Sequence, residues 1–179
     1  MHPSKTNYRV EFHTTPEGRP EIYDFLWEHL PKVVEELKAK NVSIQIERNE
    51  PFKNWGYSLH YAPNELEHLV HKMMKDKRFN YHAKITGKNK KTKIEIKVPA
   101  KELDHVLNAY NILFELLMND MHIKGDGFAI DFDPSHQNSI HVMLSKKLED
   151  KFEQAIEKAF RQKPAIKILS PSKKRKVKK

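Results

Sequence analysis

One pattern constrains this chain more than any other: short runs of strictly alternating apolar and polar residues, recurring with helical segments between them. Gly127–Ser145, GFAIDFDPSHQNSIHVMLS, is the fullest case. Phe128, Ile130 and Phe132 alternate with Ala129, Asp131 and Asp133. A polar turn over Pro134–Asn138 follows, and Ile140, Val142 and Leu144 then alternate with His141 and Met143. Alternation with a period of two sends one set of side chains to each face of a strand. The stretch therefore predicts a β-hairpin with one buried and one wet face.

The same pattern occurs along the whole chain. Tyr8, Val10 and Phe12 predict a first strand, and Thr14–Pro20 a turn. The stripe Ile22, Phe25, Leu26, Leu30, Val33 and Leu37 predicts a helix over Glu21–Lys40, with a kink or a junction of two helices at Pro31. Val42, Ile44 and Ile46 form the next strand, and Tyr57, Leu59 and Tyr61 another. A helix follows from Pro63 through Met74, then a strand through Tyr81, Ala83 and Ile85. After a lysine-rich turn the order repeats. There is a strand at Ile94–Val98, a helix over Lys101–Met121, the hairpin, a helix over Lys147–Lys163 and a short strand at Pro164–Leu169.

Twice over, this is the β-α-β-β-α-β order of a ferredoxin-like unit. The fold class expected is α+β, a tandem duplication of that unit with antiparallel sheets and helices on one face. The first unit covers residues 1–87, the second 88–169, and 170–179 form a disordered basic tail. Val10 matches Ile94 and Ile44 matches Phe128 at an offset of 84, while His60 matches His141 at 81, a difference in turn length alone.

Charge narrows the function. The net charge is +9, yet six basic residues sit in Ser170–Lys179 and four more, Lys88, Lys90, Lys91 and Lys93, in one turn. The body is nearly neutral, so its high isoelectric point does not imply a basic binding face. With no cysteine, disulfides, zinc–thiolate sites and a thiol nucleophile are excluded. No apolar run approaches the roughly 18 residues of a membrane span, and Met1–Phe12 lacks a signal-peptide core. A cytoplasmic or nuclear location, without a classical secretion signal, is expected. The five glycines are not spaced as a phosphate loop, and no cofactor is expected.

Residues alternating with the core set share the open sheet face. In the simplest hairpin register Asp131 lies opposite His141, and Glu47 opposite His60. Each pair sets a carboxylate beside an imidazole, the arrangement that fixes a tautomer for acid–base work. Ser58-Leu59-His60 and Ser139-Ile140-His141 loosely resemble the paired His-x-Thr/Ser motifs of the two-histidine phosphoesterases, in reversed order. That resemblance implies a phosphodiester held between His60 and His141. Lys124-Gly125-Asp126-Gly127-Phe128-Ala129 resembles the start of an RNP1 box, with Asp126 and Asp131 where stacking aromatics are needed. His68 and His71, with Glu65 and Glu67, lack a metal-binding spacing and predict an exposed helix surface.

Phe52, Lys53 and Trp55, on the polar loop Glu50–Gly56, are expected as exposed partner-binding groups. Lys173-Lys174-Arg175-Lys176 resembles a monopartite nuclear-import signal, implying an import receptor as a partner. The leading expectation is a non-enzymatic nucleic-acid-binding protein that uses this tail and Lys88, Lys90, Lys91 and Lys93. The alternatives are an adaptor docking an acidic or other protein surface through the aromatic loop, and a phosphodiester-processing enzyme using His60 and His141.

Overall fold

The computed structural model describes residues 5–14, 16–18, 20–55, 65–78, 82–87, 90–132, 138–160 and 164–169. Its centre is one antiparallel sheet of eight strands. These are β1 (Lys5–Glu11), β2 (Asn41–Arg48), β3 (His82–Thr86), β4 (Thr92–Pro99), β5 (Met121–Gly125), β6 (Phe128–Phe132), β7 (Ser139–Ser145) and β8 (Ala165–Ile168). They lie in the order β3-β4-β2-β5-β6-β7-β1-β8. The predicted α+β class is correct at this level.

Pairing departs from two self-contained units. β1 inserts between β7 and β8, in the second half, and β4 lies between β3 and β2, in the first. The strand that opens each half of the sequence pairs with strands of the other half. Both alternate apolar with polar residues, Tyr8 and Val10 on β1 and Ile94, Ile96 and Val98 on β4, so the pattern alone assigns neither slot and pairing is decided by non-local contacts. The predicted strand at Tyr57–Tyr61 lies outside the described residues.

β5 joins the two sets of strands by pairing with β2 on one side and β6 on the other. The helix expected over Lys101–Met121 leaves no strand here. The helix breaks instead at Tyr110 (φ −125°, ψ 44°), between α4 (Leu103–Ala109) and α5 (Asn111–Leu117), and a 3-10 turn ends it before Met121. Near the N-terminus, α1 (Glu21–Asp24) and α2 (Leu30–Glu36) flank a π-helical stretch, Phe25–His29, just ahead of Pro31. Proline lacks the amide hydrogen and its ring crowds the carbonyl four residues back; a wider turn there relieves both. The expected irregularity at Pro31 therefore takes this form.

One sheet face is packed. Val10, Ile44, Ile96, Ile123, Ile130 and Val142 are fully buried against Phe25, Leu30, Val106, Phe114 and Phe152 of the helices. Helices α3 (Glu65–Met74) and α6 (Glu149–Ala159) complete this layer through Leu66, Val70, Met73 and Ile156. The opposite face is solvated, with Asn7, Lys97, Lys124 and His141 exposed. No described helix is long and apolar enough to cross a membrane.

Trp55 corrects an expectation. It is fully buried rather than an exposed docking group. Its Nε1–H donates to the Glu50 carbonyl at 3.2 Å, Phe52 packs edge-on at 5.2 Å, and the Arg48 guanidinium sits 5.5 Å over its ring. Phe52, half-buried, also meets His71 of α3 at 5.7 Å. The loop folds back onto the end of the sheet because helix α3 offers it an aromatic and apolar surface. Lys53 is exposed.

Candidate functional site

The register of all seven strand pairings sets one polar residue from every strand in a single row across the open face. It reads Lys84, Glu95, Gln45, His122, Asp131, His141, Arg9, Lys167. Such a row follows from period-two alternation once register is fixed, because directly opposed residues point to the same face. Asp131 does lie opposite His141, as the hairpin register predicts.

The unforeseen member is His122, opposite Asp131 on the other side. His122 Nδ1 and Asp131 Oδ1 are 2.6 Å apart, a charge-assisted hydrogen bond. That bond raises the His122 pKa against the opposing effect of partial burial, with Glu47 adding to the rise. The cues in the sequence are the short alternation Met121-His122-Ile123-Lys124, at the end of a helical pattern, and the Asp126-Gly127 dipeptide that turns it into β6.

Beside this row lies a polar cleft of about 380 Å³, lined by Glu47, Asn49, Asn119, Asp120, His122, Asp131, Phe132 and His141. Its carboxylates are matched by cations. Glu47 lies 3.8 Å from Lys93, and the Asp120 carboxylate 3.6 Å from Arg48 Nε. Burial pushes the Asp120 pKa up, with Arg48 acting the other way. Arg48 also pairs with Glu50 at 3.0 Å. Further along the row, Glu95 accepts hydrogen bonds from Ser43 at 3.0 Å and Gln45 at 3.1 Å. Among the described residues, no group of three or more His, Cys, Asp or Glu side chains is placed to hold a metal ion.

The other predicted site residues scatter. His60, Lys88 and the whole tail, with Lys173, Lys174, Arg175 and Lys176, lie outside the described residues. Glu47 lies beside Lys93, its cross-strand neighbour. Lys90 and Lys91 are exposed. A smaller depression lined by Lys91, Lys93 and Thr86 shares Glu47 and Asn49 with the cleft, so the lysine-rich turn adjoins it.

A second cationic feature was not anticipated. His68, His71, Lys72, Lys75, Lys77 and Arg78 surround a shallow depression of about 690 Å³ at the end of α3. Among the described residues the one carboxylate lining it, Asp76, is already engaged. Arg78 Nε donates to it at 2.9 Å, and the Tyr110 hydroxyl donates from α4's end. Hydrogen bonds from Arg78 and then Tyr110 hold the Asp76 pKa far below the usual carboxylate range. His68 and His71 were read as plain helix surface; the lysines that follow them make that surface strongly basic.

The chain matches no protein-family model and no curated protein sequence.

Proposed function

We propose that this protein binds single-stranded nucleic acid through its phosphates. The observation that supports this best is the basic depression at the end of α3, where Lys72, Lys75, Lys77 and Arg78 face solvent around one already neutralised carboxylate. Lysine side chains on a mobile stem suit a phosphate chain that is read by charge rather than by sequence. The exposed Lys90 and Lys91 add a second patch, and the tail residues Lys173–Lys176 are read as a basic arm and a nuclear-import signal. The open sheet face carries no Phe, Tyr or Trp in its described strands, which argues against strong base stacking as the source of affinity. The recurrence of the strand pattern is read as a duplication of a ferredoxin-like unit whose opening strands have exchanged. The order β8-β1-β7-β6 is that of such a unit with β1 supplied by the other half.

Fluorescence anisotropy with a labelled single-stranded RNA tests the reading. Four phosphate contacts give a slope of about −3 in log K against log salt, so affinity falls about 50-fold between 50 and 200 mM salt. Replacing Lys72, Lys75 and Lys77 by Gln lowers that slope by about 2. Absence of binding at 50 mM salt, or a slope unmoved by the triple substitution, refutes it.

A further inference from the structure

We infer that His122 and His141, held either side of Asp131, form a proton-transfer site that cleaves bound RNA at a phosphodiester. This rests on the nucleic-acid reading above. The two histidines stand on β5 and β7 with β6 between them, so their Cα atoms are about 10 Å apart and both point to the open face. Imidazoles reaching inward from that separation bracket a group the size of a phosphate. The cleft they border accepts one despite its carboxylates, because Glu47, Asp120 and Asp131 each have a cationic neighbour in Lys93, Arg48 and His122. The lysine-rich turn beside it supplies the approach for a polyanion.

The lining defines the reaction further. Among the described residues it offers two imidazoles, carboxylates and two side-chain amides, a set suited to moving protons. The nucleophile that suits such a set is the RNA 2′-hydroxyl, which is already next to the phosphorus, an intramolecular attack with a large entropic advantage. His141 takes the 2′-hydroxyl proton as the 2′-oxygen bonds to phosphorus. His122 gives its proton to the 5′-oxygen as that P–O bond breaks. The products are a 2′,3′-cyclic phosphate and a 5′-hydroxyl end, with no net change in protons once the two imidazoles exchange states. Asp131 is a positioning residue: its 2.6 Å hydrogen bond orients the His122 ring and favours the imidazolium form, the direction a general acid requires.

The test uses the full chain with an end-labelled single-stranded RNA, the same sequence in DNA, and EDTA present. Expected are scission of the RNA alone, a cyclic-phosphate terminus by mass spectrometry, and losses of about 100-fold or more for His122→Asn and for His141→Asn. Asp131→Asn is expected to move the alkaline limb of the pH–rate profile to lower pH. The groups facing His122 are Asp131 from β6, Gln45 and Glu47 from β2, and Asp120 and Lys124 beside it in the chain, and only the first is altered. Equal melting curves check that the variants fold, and the 2′-deoxy substrate tests the mechanism without any substitution. RNA that is bound but uncut between pH 5 and pH 9, scission of DNA at the same rate, or scission surviving both histidine substitutions overturns the inference and leaves the binding reading standing. Absence of binding overturns both.

Discussion

Trp55→Ala separates two opposed views of the loop after β2. An exposed docking anchor can be truncated with no effect on stability. The observed Trp55 has no exposed surface, a hydrogen bond to the Glu50 carbonyl, an edge-on contact with Phe52 and a guanidinium above its ring. Truncating a buried tryptophan costs about 3–5 kcal/mol from lost transfer energy and the cavity left behind. For a chain of this size each kcal/mol shifts the melting temperature by about 2–4 °C, so the midpoint falls by roughly 6–20 °C. Trp55→Phe keeps most of the ring and loses the N–H donor, costing about 1 kcal/mol for that bond plus a smaller packing loss. The alanine variant also releases Arg48 from one side, the residue that neutralises Asp120 at the cleft. Calorimetry or circular dichroism at fixed pH and salt gives the midpoints. A shift below about 2 °C for Trp55→Ala, under 1 kcal/mol at this size, refutes the burial of the ring and restores the docking role.

Two further outcomes concern the sheet. His122 has a folded-state pKa raised by Asp131, so its contribution to stability is fully present below its unfolded pKa of about 6.5 and is lost as pH rises through the folded value. Urea midpoints measured from pH 5 to pH 9 should show this decline, and Asp131→Asn should flatten it; an unchanged profile argues against the bond. Gly127 turns β5 into β6 at φ +83°, and a Cβ there would meet Ser145 Oγ at 2.9 Å and Leu148 Cδ1 at 3.1 Å. Gly127→Ala is expected to lower stability by more than about 1 kcal/mol in a denaturant titration, and a neutral result would remove the need for glycine at that turn.

The alternation of Tyr8-Val10, Val42–Ile46, Ile94–Val98, Phe128–Phe132 and Ile140–Leu144 is local information. Each of these strands, its buried face and the Asp131–His141 pairing could be read from residue order alone. A hairpin with a short turn leaves its two strands one natural register, so that pair needed no knowledge of the rest of the chain. Charge placement was equally legible for the lysine-rich turn, where the residues are adjacent in sequence.

Partner choice was not local, and there the tertiary structure decided. β1 and β4 both alternate apolar with polar residues, and that pattern does not say which strands each pairs with. β5 is five residues at the end of a helical pattern, and it becomes a strand because β2 and β6 both pair with it. His122 meets Asp131 across the two-residue Asp126-Gly127 turn, but only once Met121–Gly125 is a strand and not the end of the helix. Trp55 reads as a loop aromatic until α3 packs beneath its loop. In each case one side chain's role depends on a surface supplied from elsewhere in the chain, and residue order alone does not contain it.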